Sequence, residues 1–166
     1  MTPQQYLSTA VAPALALLPP ECDTPGARVQ LLATAMQESG LTVRIQVPSG
    51  AARSFCQMEK NGAVLNVFTN DRSRPVLQAV CKQLDIPCNL DALFEAIAWH
   101  DVLAVVVARL QYWLSPLDMP AVGDPAAALA TYAATWRPAW HLVGQPEPGR
   151  WDAAYAAAIS AVAPTA

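Results

Sequence analysis

Two short stretches carry the residue types from which a reaction centre can be built: Ala35-Met36-Gln37-Glu38-Ser39-Gly40 and Ala51-Ala52-Arg53-Ser54-Phe55-Cys56-Gln57. In the first, Glu38 stands where a helical pattern asks for an apolar residue. Leu31, Ala35 and Glu38 follow at steps of four and three, which puts the carboxylate on the core-facing side of a helix. A carboxyl group at the edge of an apolar face loses solvation, and this favours its protonated form. Such a group is suited to general acid catalysis, and once it has given up its proton it can act as base. The second stretch is rich in small residues and ends in the amide of Gln57, which can both donate and accept hydrogen bonds.

Other candidates read as structural. Cys22, Cys56, Cys81 and Cys88 form no Cys-x-x-Cys pair and have no histidine at metal-ligand spacing, so they read as four buried thiols. His100 and His141 offer too few further ligands for zinc, and no metal or other cofactor is expected. His100 and Asp101 are adjacent, so on a helix they point in different directions. They read as a break within a helix or a satisfied polar pair. Trp136, Trp140 and Trp151 could stack on sugars, but their spacing suits helix packing. No glycine-rich phosphate loop is present.

The elements that position Glu38 are helical. Thr2-Pro3-Gln4-Gln5 carries a capping box with proline at the first helical position, opening a helix towards Leu18 with a kink or break at Pro13. Asp23-Thr24-Pro25 repeats that signal and opens a helix to Ser39, with Gly40 as terminator. Thr42 to Val47 alternates apolar and polar residues and predicts a short strand or hairpin, followed by a turn at Pro48-Ser49-Gly50. Short helices are expected within Phe55 to Lys60 and within Ala63 to Thr69. Ser73-Arg74-Pro75 opens a helix to about Leu84. The longest element is expected from Leu90 to Leu114, unless Asp101 caps a second helix after a break at His100. Asp124-Pro125 starts a helix through Trp136. Gly149 to Trp151 starts the last, after an exposed loop at Pro146 to Gly149, with Trp151, Tyr155 and Ile159 on one side.

With 166 residues, 54% hydrophobic and only 14% charged, the chain can bury one substantial core. The prediction is a single all-α domain over residues 1–166, with seven or eight helices and room for a small β-hairpin near residues 41–53. A net charge of −3 and the lack of a basic run exclude nucleic acid as a partner. No positively charged segment precedes the apolar stretch Val11 to Leu18, which Pro13, Pro19 and Pro20 interrupt and bound, so no signal peptide is expected. Ala96 to Leu114 contains His100, Asp101, Arg109 and Gln111, so no membrane insertion is expected either. Four thiols without a disulfide framework suit maturation in a reducing compartment.

The Gln37-Glu38-Ser39 stretch, followed nineteen residues after Glu38 by Gln57, resembles the lysozyme-like superfamily, specifically lytic transglycosylases and their phage relatives. In that family a helix ends in Glu-Ser, and a loop leads to Gly-Ala-x-Gly-Leu-x-Gln, whose end faces the glutamate. Glu38, Ser39, Ala52 and Gln57 match directly, and Phe55 replaces another apolar residue. Ala51 and Ser54 stand where the family has glycine. The resemblance spans about Val29 to Phe68. Ala104 to Leu114, Leu117-Asp118 and Tyr132 to Pro138 are more loosely similar to the alanine-rich half of phage-encoded lysozyme-like proteins. The family places a tyrosine of a late helix beside the glutamate, and Tyr132 is the candidate here.

The resemblance implies cleavage of the peptidoglycan glycan strand by one carboxylate. Glu38 would be catalytic, and Ser39, Ser54, Phe55, Gln57 and Tyr132 would bind substrate. The alternative is a non-catalytic virion structural or internal protein on the same scaffold, with other virion proteins as partners. The alanine-rich helices and the residues at positions 51 and 54 favour that alternative. In either case the chain is expected in the host cytoplasm when synthesised. It would then be carried in the virion or released to the periplasm by another route.

Overall fold

The computed structural model describes residues 1–136 and 148–163. The chain opens with Thr2 capping α1 (Pro3–Tyr6): its hydroxyl accepts from the Gln5 N–H while the Gln5 side chain accepts from the Thr2 N–H, a complete capping box. A π-helical turn (Leu7–Val11) then leads into α2 (Ala12–Leu15). The sequence predicts a kink or break at Pro13. The wider turn just ahead of it takes up the missing proline N–H, and the chain stays helical to Leu15.

After a 3-10 turn (Pro20–Cys22), Thr24 caps α3 (Pro25–Ser39) by accepting from the Ala27 N–H at 3.1 Å. Gly40, in the left-handed region at φ +60°, ends α3 and donates to the Met36 carbonyl at 2.9 Å. Two short strands follow, β1 (Ala52–Arg53) and β2 (Met58–Glu59), paired antiparallel with Ala52 opposite Glu59 and Arg53 opposite Met58. The hairpin thus lies later than the alternation at 42–47 predicts. From that stretch Ile45 makes one isolated bridge, to Arg53. Residues 55–59 accordingly form the turn and second strand instead of a helix, and a π-helical turn begins only at Lys60.

A second π-helical turn (Lys60–Val64) precedes α4 (Leu65–Thr69), and α5 (Arg74–Gln83) follows. The long element expected from Leu90 is two helices, α6 (Leu90–Ala96) and α7 (Asp101–Trp113). The cap at the break is His100, not Asp101: its Nδ1 accepts from the Leu103 N–H at 3.2 Å. Asp101 is occupied by Arg44, in an ion pair that reaches back to the loop after α3.

The last described helices are α8 (Pro125–Trp136), capped by the Asp124 carboxylate, and α9 (Pro148–Val162). The expected loop residue Pro146 lies outside the described residues, as does Pro138. No helix among the described residues is long and apolar enough to cross a membrane.

α7 is the centre of the all-α fold. Every residue from 103 to 110 is buried, and α2, α3, α4 and α5 all pack against it. α9 lies along α3, and α8 contacts both. A buried polar cluster sets the register of three helices. Gln30 Nε2 of α3 donates to the Tyr112 hydroxyl of α7 at 3.2 Å and to the Ala128 carbonyl of α8 at 3.0 Å. Thr34 adds a 2.5 Å hydrogen bond with the same hydroxyl.

One close approach in this packing can be tested directly. A Cβ placed on Gly26, in the first turn of α3, would come within 2.1 Å of the Pro120 carbonyl oxygen, a backbone atom that cannot rotate away. Gly26→Ala is therefore expected to destabilise the protein by roughly 1–3 kcal/mol, the usual cost of overpacking. Gly149→Ala in α9, where a Cβ meets nothing within 4 Å, is the control and should not lower stability. Urea unfolding midpoints measure both.

Candidate functional site

The termination of α3 puts Glu38 in place. Ser39 Oγ donates to the Ala35 carbonyl at 3.0 Å and accepts from the Leu41 N–H at 3.2 Å. Gly40 and Leu41 both take positive φ, so the chain turns sharply away. Glu38 is left half-buried in the last helical turn. A carboxylate there faces the negative end of the helix dipole, where a cation would be the favourable choice. Local helix chemistry therefore does not account for Glu38, and tertiary contacts must.

Tyr132 of α8 supplies one such contact. It is fully buried and donates from its hydroxyl to Glu38 Oε1 at 2.5 Å. Its ring stacks on Trp151 of α9, with centroids 4.6 Å apart and planes at 25°. Trp151, also fully buried, stacks in turn on Tyr155 at 6.2 Å. The Tyr155 hydroxyl accepts from the Gly123 N–H at 3.1 Å, in the loop that opens α8. The position of the phenol thus depends on α8, on α9 and on the loop between α7 and α8.

The turn between β1 and β2 forms the other part. Ser54 and Gln57 take φ of +68° and +48°. Ser54 is fully buried, and its hydroxyl accepts from the Cys56 N–H at 3.2 Å. Phe55 is buried edge-to-face against Tyr6 at 5.5 Å, with the Arg44 guanidinium 4.0 Å from its ring centre. The Cys56 carbonyl accepts from Trp136 Nε1 at 2.8 Å, and the Trp136 ring stacks on Tyr112 at 5.0 Å. This ties the tip of the turn to the end of α8. Gln57 is half-buried, and its Nε2 donates to the carbonyls of Ser54 at 2.7 Å and Val43 at 3.2 Å.

The geometry separates the sequence candidates. Glu38 and Tyr132 are brought together. Ser39 and Ser54 are buried with their hydroxyls bonded to nearby backbone, and Phe55 is packed into the core, so these three support the site through local structure. The Gln57 amide nitrogen holds its own loop. Within the turn, the residue that senses Glu38 is Cys56. Burial first, and then the Glu38 charge, push its thiol up to about 12.

Sequence reasoning read Cys56 as one of four buried thiols, which holds for Cys22, Cys56 and Cys81 while Cys88 is half-buried, and it treated Trp136 and Trp151 as helix-packing residues. The bond from Trp136 to Cys56 joins positions 80 apart, and no spacing rule reaches that far. Trp140 and His141 lie outside the described residues. Among the described residues, no group of three or more His, Cys, Asp or Glu side chains could hold a metal ion. Compared with protein-family models, with curated proteins and with solved structures, the chain matches none.

The buried acids at and around Cys56 make stability depend on alkaline pH. Burial raises the Cys56 thiol and the hydroxyls of Tyr6 and Tyr112 above their ordinary values. The folded state therefore keeps protons that the unfolded chain has released, and stability falls as pH rises. For Cys56 the stabilisation is complete below the unfolded thiol value of about 8.5. It is lost as pH climbs towards about 12. Urea midpoints measured across this range should decline, and Cys56→Ala should make the decline shallower.

Proposed function

We propose that this protein cleaves the glycan strand of peptidoglycan as a lysozyme-like lytic transglycosylase or muramidase of phage type, with Glu38 as its acid and base. The observation that carries the reading is the 2.5 Å hydrogen bond from Tyr132 to Glu38. It joins a helix-terminal glutamate to a tyrosine of a late helix, the pairing that the resemblance implies. A second support is the backbone at Ser54. Its φ of +68° is a conformation that glycine adopts freely, and the family motif has glycine at that position.

The chemistry needs one carboxylate when the substrate assists. Glu38 gives its proton to the glycosidic oxygen as the bond to the anomeric carbon of N-acetylmuramic acid breaks. The acetamido oxygen of that sugar attacks the same carbon and forms a cyclic intermediate. The Glu38 carboxylate then takes the proton of the sugar's 6-hydroxyl as that oxygen displaces the acetamido group, giving an anhydro end. Water in place of the hydroxyl gives the hydrolysed end. Tyr132 fixes the orientation of the carboxyl group through its hydrogen bond, and the aromatic stack behind it keeps the phenol in place.

A second reading is favoured by the state of the turn. Ser39 and Ser54 are buried, and Gln57 Nε2 is bonded to its own loop. These features suit a non-catalytic virion protein that keeps the scaffold and docks against other virion proteins.

A zymogram on purified cell wall separates the two readings. Wild type is expected to clear it, Glu38→Gln to lose about 100-fold or more, and Tyr132→Phe to lose about 10-fold. Circular dichroism checks that each variant is folded. Clearing that survives Glu38→Gln removes this residue from the mechanism. Folded wild type that clears nothing supports the virion scaffold. Mass spectrometry of released muropeptides distinguishes anhydro from hydrolysed ends.

A further inference from the structure

One cation of the core has no part in the Glu38 site. Arg109 lies in the buried run of α7 and is only 4% exposed. Its Nε donates to the Cys22 carbonyl at 2.9 Å, which ties α7 to the turn at Pro20–Cys22. Its terminal nitrogens meet no acceptor among the described residues. They keep contact with solvent, whereas Gln30, Gln37 and Trp151 each carry a fully enclosed unpaired atom. The ion pairs among the described residues all involve other cations, and two carboxylates close in sequence to the Arg109 contacts are taken, Asp23 by Arg28 and Asp71 by Arg74. Taking a charge out of water is costly unless a counter-charge compensates. Burial accordingly pulls the Arg109 guanidinium below its ordinary value, and Cys22 and Glu21 offset only part of this.

A second guanidinium lies at the same end of α7. Trp113 is one turn beyond Arg109, and residues four apart on a helix are side-chain neighbours. The Arg72 guanidinium carbon stands 4.5 Å from the centre of the Trp113 ring. Arg72 is exposed and Trp113 is half-buried. The two cations therefore flank the same face of α7. Both also pull the Cys22 thiol down, against the burial that raises it. The carboxylate that acts on Cys22 and Arg109 is Glu21, which is exposed and stands outside every ion pair among the described residues.

We propose that Arg109 and Arg72 bind a small oxyanion of the phosphate class near the C-terminal end of α7, beside the turn at Cys22. Arg109 is fixed at Nε by the Cys22 carbonyl, so its terminal nitrogens are presented in one plane, the geometry that pairs with two oxygens at once. Arg72 brings the second charge from the exposed side, over the Trp113 ring. A carboxylate, with two oxygens and one charge, would be satisfied by Arg109 alone. A phosphate dianion has a further oxygen and a further charge, which Arg72 matches. Glu21 and the carbonyl end of α7 both oppose an anion, so one guanidinium is not enough. None of this depends on the role of Glu38, because anion binding is measured without cell wall.

The test is equilibrium dialysis of the folded full-length protein against radiolabelled inorganic phosphate, at an ionic strength held constant with chloride. Saturable binding of one phosphate per chain is expected, with a melting temperature that rises as phosphate is added. Arg72→Gln, a change at an exposed residue, should weaken binding by about tenfold, and Arg109→Lys by about tenfold or more. Glu21→Gln removes an opposing charge and should tighten binding by roughly twofold to fivefold. Unlabelled glycerol phosphate, added as competitor, separates the sources of the anion. Displacement of the label identifies a phosphate ester as ligand, retention identifies the free ion, and both support the site. Absence of saturable binding to wild type would overturn the proposal. So would an unchanged affinity in Arg72→Gln, which decides the matter even if Arg109→Lys fails to fold.

Discussion

The hydrogen bond between Tyr132 and Glu38 joins residues 94 positions apart and is the contact on which the site rests. The end of α3 would not favour a carboxylate by itself, since the helix dipole opposes one there. A fully buried phenol beside it changes that balance, because it supplies a donor held in one place. The phenol in turn has no freedom of its own. Trp151 covers its ring, Tyr155 covers Trp151, and a backbone N–H from the start of α8 holds the Tyr155 hydroxyl. Loosening α9 would therefore be felt at Glu38 even though no α9 residue is needed for the proposed proton transfers.

A second set of contacts places the turn between β1 and β2. Two residues in that turn take positive φ, which costs energy for non-glycine side chains. The surrounding structure compensates. Phe55 is buried against Tyr6, Arg44 lies over its ring while paired with Asp101, and Trp136 holds the Cys56 carbonyl. The turn is thus anchored to the first helix, to the start of α7 and to the end of α8. Below it, the Gln30–Thr34–Tyr112 cluster fixes how α3, α7 and α8 sit along one another. Such a cluster stabilises one register in particular, because sliding any of the helices would leave buried polar groups unpaired.

The helical class and most helix starts were legible in the residues. Thr2 with Gln5, Thr24 with Pro25, Gly40 and Asp124 each act where their types predict. The strand pair was displaced because alternation at 42–47 competes with the tighter hairpin that follows it: Arg53 pairs with Met58, while Ile45 adds only a bridge. The break before α7 was legible, but not its cap: Asp101 is the better capping type, and Arg44 takes it, leaving His100 to accept from Leu103. At the site, the resemblance implied that Ser39, Ser54 and Gln57 bind substrate. Their hydrogen bonds to nearby backbone were available locally, and in the folded chain those bonds formed.

The amino-acid sequence by itself determined the helical character, the capped start and the glycine stop of α3, and hence the place of Glu38 in a last helical turn. Those features come from contacts between residues three to five positions apart, which composition and spacing encode directly. Only the tertiary structure decided that Tyr132 meets Glu38 and that Trp136 holds Cys56. Both pairings follow from how apolar helix faces bury one another. Many sequences of the same pattern could satisfy that burial with other partners, so the choice appears only once the helices are packed.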